Sequence, residues 1–399
     1  MKMSEFVAIG THRVKRVSAV SRERAAGAIR LFATASVALA LAACGGDGTH
    51  ATAVSPATPN GSFAYVANFN ESDISGYSVD KDTGALTPIS GSPFSTGSSP
   101  VSVAVNPKGT LAFVTNFGAG TVSVFHINAT TGVLTPVSGS PFATESGPEY
   151  VALNPAGTFA FVTNASGSLA VFSIDASTGV LTPVSGSPFQ TGNGSQGVAV
   201  NPAGTLVFVA NGDDGTLSVF HIDASTGTLT PVSGSPFASD AGALSDPHAV
   251  TVNATGTLAY VANASSSTIS VFSIDASTGA LTAVSGSPFT AGNTPEGMAI
   301  DPTGTLAFVP DAVADTILAY SVDASSGALT PLSGSPASTG LNPSFMAINP
   351  AGTFAYVTNY GDSTVSVFSI NATSGALTPV IGSPIATGRN PYSIALAQP

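Results

Sequence analysis

The sequence predicts an all-β chain folded as a seven-bladed β-propeller, with four antiparallel strands in each blade. Three observations lead there. A glycine that opens a repeated unit falls at Gly61, Gly109, Gly157, Gly204, Gly256, Gly304 and Gly352, at spacings of 48, 48, 47, 52, 48 and 48 residues. A fixed period of this length marks a repeat architecture. Each unit holds four strand-length runs rich in Val, Ile, Phe and Thr, parted by Gly, Pro, Asn and Asp, which is the content of a propeller blade. Mean hydropathy is +0.35, yet no apolar run reaches the roughly 18 residues that a spanning helix needs.

The second unit shows the elements in order. Leu111–Thr115 is short and apolar, and a turn follows over 116–120. Thr121–Ile127 alternates apolar and small polar residues, the period of a strand. After a turn at 128–132 comes Val133–Val137, then Ser138-Gly139-Ser140-Pro141. Tyr150–Leu153 is the fourth run, and Asn154-Pro155-Ala156-Gly157 turns into the next unit. Asp175, Asp223, Asp275 and Asp323 open the turns after the alternating run, where a carboxylate accepts backbone N–H bonds. His126 and His221 share a position with Ser173, Ser273 and Ser369 and read as surface residues. With runs such as Val101–Val105 and Val198–Val200 innermost, the repeat enters its first blade at the second strand, Phe63–Ala67. The last run, Ser393–Ala397, then supplies that blade's inner strand. This 3+1 closure leaves no open sheet edge between the ends of the ring.

The N-terminus reads differently. Seven of the ten Lys and Arg residues fall within 1–30, an apolar stretch begins at Leu31, and Leu41-Ala42-Ala43-Cys44-Gly45-Gly46 follows. A basic segment, an apolar segment and small residues describe an export signal, and the chain's one Cys stands where a bacterial lipobox places the lipidated residue. The expected organisation is a signal peptide over 1–43, lipidated Cys44 with a flexible tether over 44–60, and the propeller over 61–399. The anchor is acyl burial in a membrane, in an exported and monomeric protein. Gly45 after the Cys resembles the pattern sorted to the outer membrane.

From Cys44 onward three Lys or Arg stand against 20 Asp or Glu, a formal charge of −17. Nucleic acid, which needs clustered cations, is excluded as a partner, and phosphorylated ligands are disfavoured.

Candidate site residues come from a contrast within the repeat. At the position opening each inner strand, the seven units carry Val101, Glu149, Gln196, His248, Glu296, Ser344 and Tyr392. The background is nearly constant, and this position changes chemistry from unit to unit. Blade geometry puts it at one mouth of the central channel. The longest unit carries extra residues in 237–247, a loop expected to bring Asp240 and Asp246 to the same mouth. Arg389 is the one cation expected on that face. His248 is the candidate base, since imidazole titrates near neutrality, with Glu149 or Glu296 to orient it. Glu149, His248 and Glu296 are also an O/N set suited to Ca²⁺ or Mn²⁺. Gln196, Asp240, Asp246, Ser344, Tyr392 and Arg389 are candidate ligand contacts.

Phe161-Val162-Thr163-Asn164 and Tyr356-Val357-Thr358-Asn359, followed by runs such as Ser366–Ile370, resemble the Tyr-Val-Thr-Asn repeat propellers of prokaryotic surface proteins. With the Thr178-Gly179-Val180-Leu181-Thr182 and Asn201-Pro202-Ala203-Gly204 turns, the whole of 61–399 is also similar to the seven-bladed lactonase family, which includes 6-phosphogluconolactonase-like enzymes. That resemblance implies catalytic His and Arg residues at the channel mouth. His248 fits one such position, whereas Glu296 and Ser344 stand where Arg would be expected. The function expected first is therefore a ligand- or protein-binding scaffold at the envelope, its partner a protein or a carbohydrate. The alternative is a lactone hydrolase, acting on 6-phosphogluconolactone or a neutral sugar lactone.

Overall fold

The computed structural model describes residues 61–240 and 245–398. The expected signal peptide, Cys44 and the 44–60 tether lie outside the described residues, as does part of the long loop before His248. Among the described residues no helix is long and apolar enough to cross a membrane.

Seven antiparallel sheets make seven blades. Blade one takes its inner strand, Pro391–Ala397, from the far end of the chain and its second, Ser62–Asn68, from the start. The two pair with Ala64 opposite Leu396 and Asn68 opposite Pro391, so the 3+1 closure is as the phase of the repeat predicts. The inner strands of blades two to seven follow in order: Pro100–Val105, Pro148–Leu153, Ser195–Val200, Pro247–Val252, Ala299–Ile300 and Pro343–Ile348.

Burial grades outward across each blade, and the sequence follows it. Leu111–Asn116, the second strand of blade two, is buried at every residue. Blades cover both its faces, hence a continuous apolar run in place of alternation. The third strand, Thr121–Ile127, exposes His126. The outer run Leu134–Pro136 buries only Leu134. The apolar side chains gather into seven clusters, one for each pair of adjacent blades. One joins Phe113 and Val124 of blade two to Val162 and Phe172 of blade three. The cluster at the closing seam joins Ala64, Val66 and Ile394 of blade one to Tyr356 and Val367 of blade seven.

The turns are held as their residues suggest. Asn106 Oδ1 accepts the N–H groups of Thr110 and Leu111 at 2.8 and 3.0 Å, and Gly109 beside it takes φ +67°, where glycine alone is unstrained. Asp175 accepts the N–H groups of Ser177 and Thr178, both at 2.9 Å. The recurrent Asn ending the second strand clamps the third strand. Asn116 Nδ2 donates to Thr121 Oγ1 and Ser123 Oγ at 3.0 and 2.9 Å.

Two details depart from the expected pattern. The outer edge has two pieces, since Phe142–Ala143 pairs with Thr121–Val122 while Leu134–Pro136 pairs with Phe125–Ile127. Each blade therefore has five strand segments, the last pair separated by the Ser-Gly-Ser-Pro turn, which in blade seven is Ile381-Gly382-Ser383-Pro384. In blade six the inner strand shrinks to Ala299–Ile300, with an isolated bridge from Pro295 to Asp311. Gly297 and Pro310 fall at the broken rung, and neither favours a ladder.

Candidate functional site

The inner strands bring the mouth residues into a ring, and the structure buries most of them. Glu149 is 4% exposed, Gln196 5%, His248 5% and Ser344 3%. A rim tolerant of any residue would be solvated. This ring instead holds a carboxylate and an imidazole largely out of water, a burial that hydrogen bonds must offset and that marks a candidate functional site. Glu296 and Tyr392 are half-buried and Arg389 is exposed.

The seams between blades explain how these side chains are positioned. Thr115 Oγ1 of blade two donates to the Glu149 carbonyl of blade three at 2.7 Å. Thr163 of blade three donates likewise to the Gln196 carbonyl. Thr358 of blade seven donates to the Tyr392 carbonyl at 3.0 Å. In blade five that position is Ala262, and His248 takes over the task. Its Nδ1 lies 2.9 Å from the Glu296 carbonyl oxygen. A carbonyl only accepts, so Nδ1 carries the hydrogen. In the neutral ring Nε2 is then the basic nitrogen.

The sequence-predicted residues come together only in part. Gln196 Nε2 donates to Asp246 Oδ1 at 3.2 Å, joining blade four to the start of blade five. Ser344 Oγ donates to the Tyr392 carbonyl at 2.9 Å. Asp240 accepts from Thr268 Oγ1 at 3.2 Å, at the start of a third strand and so outward of the ring, not at its mouth. The backbone carbonyl of Arg389 accepts from Asn70 N at 3.3 Å. Among the described residues no three His, Cys, Asp or Glu side chains form a group able to hold a metal ion. The set Glu149, His248 and Glu296 is thus not gathered into a ligand cluster, because it is spread over blades three, five and six.

The residue after the mouth position also contributes, and sequence reasoning missed it. Tyr150 of blade three, 7% exposed, packs edge-on to the His248 ring at 6.3 Å and 87°. It also meets Phe345 of blade seven at 6.4 Å. Rings from blades three, five and seven therefore meet across the channel. Small residues leave them room. Gly297 lies 3.7 Å from Phe345 by its implied Cβ, and Gly197 is pressed against the backbone of His248 and Ala249. The signal was visible as variation one residue further along, at Ser102, Tyr150, Gly197, Ala249, Gly297, Phe345 and Ser393. Chemically, the site offers an imidazole of fixed tautomer, a buried carboxylate, an amide donor and an aromatic wall.

A family description, the seven-bladed β-propeller lactonases, matches residues 14–147, 138–245, 235–340 and 313–390. No curated protein matches the sequence. Among solved structures, a Bacteroides fragilis protein provisionally described as a 6-phosphogluconolactonase is 20% identical with a TM-score of 0.75, over 86% of this chain and 99% of its own. A Lactobacillus plantarum protein is 19% identical with a TM-score of 0.70, over 84% and 99%. The periplasmic gluconolactonase of Pseudomonas aeruginosa is 19% identical with a TM-score of 0.69, over 84% and 99%. At these identities the likeness is one of fold.

Proposed function

The chain belongs to the seven-bladed β-propeller lactonase family, and on that premise we propose that it hydrolyses an uncharged sugar lactone at the channel mouth. The observation that carries this reading is the buried ring of Glu149, Gln196 and His248. His248 Nε2 removes a proton from water as the oxygen attacks the lactone carbonyl. The Gln196 amide and the Tyr150 hydroxyl are the donors at hand for the oxyanion. Collapse breaks the ring C–O bond, and the proton returns from His248 to the alkoxide. The product is an open-chain hydroxy acid.

Charge supports a neutral substrate. The propeller carries a large excess of carboxylates, Lys81 pairs with Asp82 at 2.7 Å, and Arg389 is exposed. A neutral lactone enters such a mouth without penalty, and its carboxylate product is repelled from it. A phosphorylated lactone would be repelled on entering. The same ring suits a binding scaffold that holds a lactone or other carbohydrate without turning it over, and the experiment separates the two. Acid release from glucono-δ-lactone in a pH-stat, corrected for spontaneous opening, is expected with the purified protein and lost in His248→Ala. Turnover undiminished in that variant removes His248 from the mechanism. A lactone-dependent rise in melting temperature without turnover favours the scaffold. The same assay with EDTA, Ca²⁺ and Mn²⁺ tests for a divalent cation. We place this activity at the cell envelope, through lipidation of Cys44. Membrane association lost in Cys44→Ser is the expected result.

A further inference from the structure

The mouth is chemically two-sided. Blades three to six carry its polar and ionisable residues, Glu149, Gln196, His248 and Glu296, as described above. Blades seven and one carry rings. The residue following the clamping Asn, or Asp311 in blade six, is Tyr360 in blade seven and Phe69 in blade one, whereas blades three to six have Ala165, Gly212, Ala264 and Ala312 there. Tyr392 opens the inner strand of blade one in the same sector. The three rings meet: Phe69 lies 6.5 Å from Tyr360 and 6.4 Å from Tyr392, and Tyr360 meets Tyr392 edge-on at 6.1 Å and 88°. All three are half-buried. Phe117 of blade two holds the equivalent position but leans against Gly147, outside this cluster.

The cluster is held rigidly by Asn390. Its backbone carbonyl accepts from Phe69 N at 3.1 Å, its Nδ2 donates to the Tyr360 carbonyl at 2.9 Å, and its Oδ1 accepts from Asn70 Nδ2 at 2.6 Å. The two sides of the mouth are in electrostatic reach of each other. The Tyr360 hydroxyl is pushed up, first by burial and then by the Glu296 carboxylate. Rings packed on one another, one pair edge-on and two tilted, enclose no cage for an ammonium group. They form a wall that carries hydroxyls at its edges. A pyranose has the matching anatomy, with a C–H face to stack on rings and hydroxyls for the polar side.

We propose that Phe69, Tyr360 and Tyr392 form a sugar-ring subsite beside the lactone site, so that the ligand is a lactone carried on a second sugar, an oligosaccharide aldonolactone. The proposal rests on the lactone reading for the polar side only. A reaction that oxidises the reducing-end hemiacetal of an oligosaccharide to a lactone must then supply the substrate.

The test is calorimetric titration of the full chain with three probes: glucono-δ-lactone, cellobiono-δ-lactone and cellobiose. Cellobiose has no lactone and reads the aromatic subsite alone, so its outcome is independent of turnover. Cellobiono-δ-lactone is expected to bind about tenfold more tightly than glucono-δ-lactone, as a stacking contact of about 1.4 kcal/mol implies. The double variant Phe69→Ala/Tyr360→Ala should lose that preference and cellobiose binding, while keeping its affinity for glucono-δ-lactone. Tyr360→Phe/Tyr392→Phe keeps the rings and should retain at least part of the preference, which guards against a folding artefact. Equal affinity for the two lactones in the unaltered protein overturns the proposal. So does a preference that survives the Ala variant, or choline binding more tightly than cellobiose. Loss of glucono-δ-lactone binding in the unaltered protein, with cellobiose still bound, would instead sink the lactone reading and leave the subsite standing.

Discussion

The seam that closes the ring can be weakened by removing one oxygen atom. Thr358 is fully buried. Its Oγ1 accepts from Phe345 N at 3.1 Å and lies 3.0 Å from the Tyr392 carbonyl of the closing strand. It also lies 3.1 Å from Ser344 Oγ. Thr358→Val keeps the shape and deletes the hydroxyl. The half-buried Phe345 N–H then loses its partner and the Tyr392 carbonyl keeps only its bond from Ser344, at a cost of about 1–3 kcal/mol. Ala67, Ala210 and Ala262 hold the equivalent position in other blades, so the fold survives and the loss reads out as stability. At about 2.1 cal/mol/K per residue, unfolding the 61–399 domain carries an entropy near 0.7 kcal/mol/K. A loss of ~2 kcal/mol therefore lowers the melting temperature by about 3 °C. Scanning calorimetry on Thr358→Val and Thr358→Ser measures it, and Ser should recover most of the drop. A melting temperature for Thr358→Val within about 0.5 °C of the parent would refute the reasoning, because the seam would then not depend on this hydroxyl.

Other expectations follow from single contacts. The Cβ of Gly197→Ala would sit 2.6 Å from Ala249 Cα and 2.8 Å from the His248 carbonyl, so we expect a cost of about 1–3 kcal/mol and, from displaced His248, turnover reduced at least about tenfold. Gly297→Ala, which meets nothing nearer than Phe345 at 3.7 Å and the Ser344 carbonyl oxygen at 3.8 Å, is the comparison and should be near neutral; equal effects on melting and turnover would contradict the assignment. Tyr65 Oη donates to the Gly132 carbonyl at 2.7 Å, whereas the buried Tyr260 and Tyr356 hydroxyls find no protein partner among the described residues. Tyr65→Phe should thus cost about 1 kcal/mol and the other two Phe variants nothing or less, by urea titration; a uniform cost across the three would count against it. Hydrogen bonds from the Ser177, Ser225 and Ser277 side chains, then from neighbouring backbone N–H groups, hold Asp175, Asp223 and Asp275 down at about 2. The folded values lie below the unfolded value of about 3.9, so their stabilisation is complete above that pH and drains as pH falls toward 2. The triple Asp→Asn variant, which copies Asn128 and Asn371 of blades two and seven, should melt with a shallower acid limb; an unchanged limb would exclude these turns as its source.

The fold was legible because the repeat announces itself. The phase of the Asn-Pro-x-Gly turn was enough to assign Ser393–Ala397 to blade one, and the structure extends that strand only to Pro391. The divided outer edge was less visible. Phe142–Ala143 is two residues long, too short for periodicity to register, and its partner lies some 20 residues earlier in the chain. The site was legible as a set of positions but not as contacts. Variation at one repeated place picked out Glu149, Gln196, His248 and Ser344. It could not tell that His248 bonds a backbone carbonyl, since that depends on Ala262 lacking the hydroxyl that Thr358 has. Asp240 was placed by loop length alone, and loop length fixes no direction. Tyr150 and Phe345 were passed over because aromatic residues in a β protein read as core.

The seams also bear on how seven look-alike modules find their order. Blades two to five share almost the same strands, so any of them could in outline stack on any other. Their contacts are not interchangeable. A Thr hydroxyl bridges blades two and three, and Gln196 with Asp246 bridges four and five. An imidazole bridges five and six. Asn342 N donating to Asp315 at 2.9 Å bridges six and seven, and Ser393 Oγ accepting from Val103 N bridges one and two. Three junctions, two to three, three to four and seven to one, share the Thr-to-carbonyl bond, and the others use different groups. A ring with blades four, five or six exchanged for another would leave the Gln196, His248 or Asp315 contact without its partner. Part of the order of the blades is therefore written at their borders, and Gln196 and His248 carry it from the mouth itself.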